Sequence, residues 1–168
     1  MEKSRKVIFI SHCILNQNVR PEGAERAPGV IKDILQLISE YDIGIVQIPC
    51  PQIEAGNKLD RKQRDKASYD TKSYRALCRE TAKKILDLVD VYLKEGYSVV
   101  GIIGVEHSPI CAVYQIKQGT RAVPGKGIFI EEVEAEMKKR RFQVPIVGVS
   151  ISNVFGALEK LRTLLKYG

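Results

Sequence analysis

The sequence predicts a single α/β domain, a doubly wound, mostly parallel, Rossmann-like sheet of about four strands with helices on both faces. Three observations carry this expectation. Apolar runs of strand length, such as Val7-Ile8-Phe9-Ile10 and Val99-Val100-Gly101-Ile102-Ile103, alternate little and so read as strands buried on both faces. Stretches with apolar residues at helical spacing lie between them, the alternation of parallel crossover units. Each strand then ends abruptly in polar residues, at the edge where open parallel sheets bind ligands. A length of 168 residues without an internal repeat suits one domain over 1–168.

Taken in order, Lys6–Ser11 is a first strand, ending in His12-Cys13. Residues 14–23 are too rich in amides, Pro and Gly for regular structure and read as a loop. Pro28 suits a first helical turn, and Ile31, Ile34, Leu35 and Ile38 continue one apolar stripe to about Tyr41. Residues 43–48 are a second strand, closed by Pro49-Cys50-Pro51-Gln52. Residues 53–69 show no clear period and carry Arg61-Lys62-Gln63-Arg64-Asp65-Lys66, which reads as a basic flap near the site. A long helix capped near Asp70 or Thr71 runs to about Glu95, with Leu77, Cys78, Thr81, Ile85, Leu88 and Tyr92 on one side and Gly96 as its stop. The third strand starts at Ser98 and delivers Glu106, His107, Ser108 and Cys111 to its end. Residues 112–127 read as irregular, 131–141 as a short helix, and 144–151 as a fourth strand. Phe155, Leu158, Leu161 and Leu165 make the closing helix amphipathic.

Composition excludes several classes. The charge is +7 with 44% hydrophobic residues, ordinary for a folded protein. No apolar run approaches the roughly 20 residues that cross a bilayer, and the N-terminus has no signal-peptide pattern. A cytoplasmic protein without a membrane partner is expected. Arg61 to Lys66 and Lys138 to Arg141 read as solvated faces, because few aromatic residues are interleaved with them for base stacking. A small molecule is expected rather than nucleic acid, and the oligomeric state is open.

The chain has four cysteines and no Cys-x-x-Cys pair. Cys78 lies on the apolar stripe of the long helix, where a thiol packs as a small hydrophobe. Cys13, Cys50 and Cys111 each follow a predicted parallel strand, and strand ends stand roughly 5 Å apart per step. Those three thiols can therefore converge on one crevice, against the alternative of scattered structural thiols. Thiolates select zinc, copper(I) or iron–sulfur clusters. Zinc would take a fourth ligand from His12 or His107; a [4Fe–4S] cluster on three thiolates keeps one iron open.

The same residues carry a family resemblance. Ile10-Ser11-His12-Cys13-Ile14-Leu15-Asn16-Gln17-Asn18-Val19-Arg20, then Pro49-Cys50-Pro51, then Gly101-Ile102-Ile103-Gly104-Val105-Glu106 with Ser108-Pro109-Ile110-Cys111, occur in the order and spacing of the thiouracil desulfurase family. Over roughly residues 6–150 the chain resembles its desulfidase-related branch. The resemblance implies an oxygen-sensitive [4Fe–4S] cluster held by Cys13, Cys50 and Cys111, whose open iron takes the sulfur of a thiolated nucleobase or similar small thio-compound. It also implies a water attack on the ring carbon, an acid–base residue after the Cys-Pro pair, and a substrate hydrogen bond from Ser108.

The chain departs from that pattern where Gln52 occupies the acid–base position, because an amide neither takes up nor releases a proton at neutral pH. Glu54, Glu106 and His107 are the candidates to replace it. Ala112 stands where the family has Gly, and His107 where a small residue is common. The expected site thus has Ser108, Glu54 and Glu106 in catalytic roles, Asn16, Gln52 and His107 as substrate contacts, and three cysteines on the metal. The alternative is a non-catalytic metal-binding module or carrier of sulfide or clusters, with zinc as its alternative metal; a thiol redox sensor is a third.

Overall fold

A computed structural model describes residues 1–168. In β1 (Lys6–Ser11), Val7 and Phe9 face one core while Ile8 and Ile10 face the other, the two-residue period of a doubly covered strand. A single turn, α1 (His12–Leu15), and a 3₁₀ turn at Gln17–Val19 follow directly. Then come α2 (Lys32–Glu40), β2 (Gly44–Ile48), α3 (Pro51–Glu54), α4 (Lys66–Tyr69) and α5 (Lys72–Lys94). The chain continues through β3 (Ser98–Val105), β4 (Gln115–Gln118), β5 (Arg121–Pro124), α6 (Ile128–Arg140), β6 (Ile146–Val149) and α7 (Val154–Tyr167).

Four strands form one parallel sheet in the order β2-β1-β3-β6, the expected doubly wound α/β fold. From β1 the chain crosses outward to β2 and then back past β1 to β3, so the topological switch point lies between the ends of β1 and β3. Helices α2 and α7 cover one face through Ile34, Leu37, Ile38, Ala157, Leu161 and Leu165, packed on Ile8, Ile10, Val100 and Ile103. Helices α5 and α6 cover the other through Cys78, Ala82, Leu86, Phe129, Val133 and Met137, packed on Phe9 and Ile102. Arg75 and Arg79 of α5 pair with Glu132 of α6, and Arg140 of α6 with Asp87 of α5, so opposite charges rim that second core. No helix is long and apolar enough to cross a membrane.

Several boundaries differ from the sequence expectation. Pro28 lies in a bend and α2 starts at Lys32, because Gly29 and Ile31 instead pair with the 3₁₀ turn and α1, through Gln17 N–H to Gly29 O and Ile31 N–H to Ile14 O. The buried stripe of α5 runs through Tyr74, Cys78, Ala82, Ile85, Leu86 and Val89, leaving Leu88 exposed. Helix α6 begins three residues early, taking in the buried Ile128, Phe129 and Ile130. Residues 115–124, read as irregular, form an antiparallel hairpin, β4–β5, around Gly119-Thr120. Its side chains are mostly exposed and short of β-branched residues, so no strand signature marks it.

Candidate active site

Three strand ends supply three thiols. Ser11 is extended and α1 starts at His12, which places Cys13 in the first turn after β1. Cys50 immediately precedes α3, whose first residue is Pro51, a residue pre-set for a helix start. Cys111 sits in the loop that folds back on β3, where Val105 N–H donates to the Cys111 carbonyl at 3.0 Å. Gly104 permits that fold-back: a β-carbon there would overlap the Cys111 carbonyl oxygen and crowd Val113. All the cysteines are free thiols.

The thiols feel one another. Burial pushes the Cys13 thiol up, the nearby Arg20 guanidinium pulls it down, and Cys50 pushes it up again. Arg20 Nη1 donates to Cys13 Sγ at 3.8 Å. Burial raises Cys111 well above the ordinary thiol range, with Cys13, Cys50 and Cys78 adding to the rise and Ser11 opposing it.

The loop after β3 is built by two side chains. Ser108 Oγ accepts the N–H of Ile110 at 3.2 Å and of Cys111 at 3.0 Å, fixing the turn that carries the cysteine. Glu106, 7% exposed, accepts from the backbone N–H of Val113 at 2.8 Å, Tyr114 at 3.2 Å and Gln115 at 2.9 Å. Its carboxylate fills the space over Gly148 of β6, where a β-carbon would overlap Oε1. Between them His107 adopts a left-handed φ of 70°, a conformation His tolerates better than most side chains. Its N–H donates to Gln115 O at 2.8 Å and its carbonyl accepts from Lys117 N–H at 3.2 Å, so the hairpin grips it from both sides.

A cavity of about 260 Å³ opens over this edge. Cys13, Cys50, Gln52, His107 and Ser108 line it, with Tyr69, Arg20, Arg61, Arg64, Lys117 and a single carboxylate, Asp65. The basic flap of the sequence forms one wall and is tied down. Glu22 N–H donates to Arg61 O at 2.8 Å, Lys117 Nζ to Gln63 Oε1 at 3.1 Å, and Gly119 N–H to Asp65 Oδ1 at 3.1 Å. Gln52, 7% exposed, accepts from Asn57 Nδ2 at 2.5 Å through its own Oε1.

Four of the expected site residues are absent from the cavity lining. Glu106 is a correction: it does not line the cavity, and its oxygens are occupied by backbone amides. Glu54 is exposed and also outside the cavity, next to His12, whose imidazole burial holds below its ordinary range while Glu54 opposes that. Asn16 caps the 3₁₀ turn, its Oδ1 accepting from Asn18 N–H at 3.1 Å, and is likewise absent from the lining. Cys111 does not line the cavity itself; its backbone N–H is held at 3.0 Å by the Oγ of Ser108, which does. Lys117 lines the cavity without having been marked by any motif; Arg20 closes the motif that begins at Ile10 without a role assigned to it, and the 53–69 flap contains Arg61, Arg64, Asp65 and Tyr69.

No group of three His, Cys, Asp or Glu side chains converges to hold a single metal ion. The zinc expectation, which needs four donors on one centre, therefore has no such group here. A cubane cluster makes a different demand, because each thiolate binds a different iron and the donors stand apart around it. Three free thiols at three adjacent strand ends supply the donor chemistry of that demand.

No model of a known protein family matches the chain. The chain is 34% identical over 138 residues to the uncharacterized protein MJ0003 of Methanocaldococcus jannaschii, covering 82% of this chain and 81% of that protein. The chain belongs to the MJ0003 family. Among solved structures, this MJ0003-family fold is similar to the [4Fe–4S]-dependent thiouracil desulfidase TudS, with a TM-score of 0.52 and 19% identity. That match covers 94% of this chain and 99% of the other, so the two share the fold from end to end.

Proposed function

We propose that this MJ0003-family protein is a [4Fe–4S]-dependent desulfidase acting on a thiolated nucleobase or a similar small thio-compound. The observation that carries the proposal is the set of free thiols of Cys13, Cys50 and Cys111 at the switch point of the sheet, two of them in a cavity wall. The likeness in fold to TudS supports it. Held by these cysteines, a cluster would supply an open iron that takes up the sulfur of the substrate.

The remaining work falls to the chain's own groups. Both lone pairs of Ser108 Oγ are engaged by backbone amides, which leaves its hydroxyl proton free to donate to a substrate in the cavity. Because Gln52 Oε1 accepts from Asn57, its amide nitrogen is the group it offers the substrate, as a donor that orients without transferring a proton. His107 and Asp65 line the cavity where Glu54 and Glu106 do not, and an imidazole suits proton transfer near neutral pH. We assign the acid–base role to His107. Arg20, Arg61, Arg64 and Lys117 give the cavity a positive wall that excludes cationic substrates.

Anaerobic reconstitution tests the proposal. The wild-type protein is expected to take up about four iron and four sulfide ions per chain, as the [4Fe–4S] formula requires. Cys13→Ala, Cys50→Ala and Cys111→Ala should each lose them, and Cys78→Ala should keep them. Sulfide release from thiouracil is the activity assay, and His107→Gln should abolish it with iron content intact. Full iron content in all three ligand variants would overturn the proposal. Gln52 favours one second possibility, a carrier of sulfide or clusters; it requires a loaded protein that releases no sulfide from thiouracil and gains that ability on Gln52→Glu.

A further inference from the structure

Tyr74 projects from the first turns of α5 into the core behind the site. It is 9% exposed, and its ring packs on Tyr69, a cavity-lining residue, with centroids 5.6 Å apart. Its hydroxyl is enclosed and has no hydrogen-bond partner in the protein. A phenol buried this way loses water without replacing it, and native folds rarely leave such a group unexplained. Apolar packing alone would be served better by Phe at this position.

Sulfur borders the core around that ring, since Cys78 belongs to the same cluster of buried side chains. The groups that act on the hydroxyl electrostatically are Cys78, Cys111, Cys50 and Tyr69. Ile48 and Ile110, which lead into Cys50 and Cys111, share its core cluster, and Cys111 packs against that cluster. Burial holds the phenol protonated, so it is a donor in search of an acceptor. Neutral thiols are weak acceptors; thiolate and sulfide sulfur are stronger ones.

We infer that Tyr74 is a positioning residue whose hydroxyl donates a hydrogen bond to sulfur at the cluster site, either the Cys50 or Cys111 thiolate or a sulfide of the cluster. This rests on the cluster proposed above and adds a group beyond the three ligands. A hydrogen bond to that sulfur withdraws negative charge from it and stabilises the reduced form over the oxidised one. It also gives the orphaned phenol its partner only when the site is loaded.

The test compares anaerobically reconstituted wild type, Tyr74→Phe and Cys78→Ala. Dye-mediated redox titration is expected to place Tyr74→Phe at a more negative midpoint potential than wild type, with shifted Fe–S stretching bands in resonance Raman spectra. Cys78→Ala, which disturbs packing in the same wall, should leave both unchanged. Stripped of iron, Tyr74→Phe should melt at or above the wild-type temperature, since it removes an unsatisfied hydroxyl. Coincident potentials and stretching bands in loaded wild type and Tyr74→Phe would overturn the hydrogen bond while leaving the cluster standing. A shift of equal size in Cys78→Ala would overturn it too, because packing would then account for the effect. A wild-type protein that takes up no iron would instead overturn the cluster itself.

Discussion

Arg20 Nη1 stands 3.8 Å from Cys13 Sγ, the one guanidinium contact to a thiol in the site. A cation at that distance favours the thiolate, against the burial that otherwise raises the Cys13 thiol. Arg20→Met is therefore expected to move the Cys13 titration to higher pH in the metal-free protein. Ultraviolet thiolate absorbance, followed against pH with Cys13→Ser as the blank, measures the shift. Because soft metals bind thiolate and not thiol, iron uptake at neutral pH should slow in the same variant.

Glu106→Gln separates an architectural carboxylate from a catalytic one. The amide keeps one acceptor and turns an NH₂ group toward backbone N–H groups that now bond to oxygen. Losing charge-assisted bonds and leaving a buried donor unsatisfied costs about 2 kcal/mol or more. A lower urea midpoint with an unchanged m-value is expected. A variant of wild-type stability that releases no sulfide would return Glu106 to the chemistry.

Ser108→Ala removes the acceptor for two amides and the hydroxyl proton offered to the cavity. The fold should lose about 1 kcal/mol, read from urea unfolding. Sulfide release should fall roughly tenfold, the equivalent of one substrate hydrogen bond of about 1.4 kcal/mol. Equal turnover in the variant and the wild type would show that the serine serves the turn alone.

Alkaline stability should depend on Cys78. Burial pushes its thiol up to about 12 in the fold, from an ordinary value of 9.0. Below pH 9 both states hold the proton and its contribution is complete; above pH 9 the unfolded chain releases it first, so stability drains away until about pH 12. Denaturation midpoints at pH 8 and pH 10.5, measured under reducing conditions, should differ less in Cys78→Ala than in wild type. An identical pH dependence would show that other groups carry the alkaline loss.

The sheet was legible because buried parallel strands write themselves as continuous Val and Ile runs, and their ends are marked by the change to His12-Cys13, Pro49-Cys50 and Glu106-His107. The hairpin at 115–124 was not, since it is anchored by backbone bonds to His107 and by the Asp65 carboxylate on Gly119 N–H and not by an apolar face. The carboxylates were misplaced for a similar reason. Nothing local to Glu106 says that three amides from 113–115 will surround it, and nothing near Glu54 says that its helical turn points it away from the cavity. Arg20 reaches the site from a loop and Lys117 from the β4–β5 hairpin, and their paths are set by long-range bonds such as Gln17 to Gly29 and Lys117 to Gln63. Periodicity carries no trace of either.

Gly148 lies in β6 and Glu106 in the loop after β3, yet neither position is free to drift alone. A side chain at 148 would evict the carboxylate, and a shortened side chain at 106 would leave a hollow beside a bare α-carbon with amides facing it. Descendants of this chain should therefore keep both or exchange both together. Paired substitution at 106 and 148 across the MJ0003 lineage would be the inherited record of that lock, legible without any assay of the chemistry beside it.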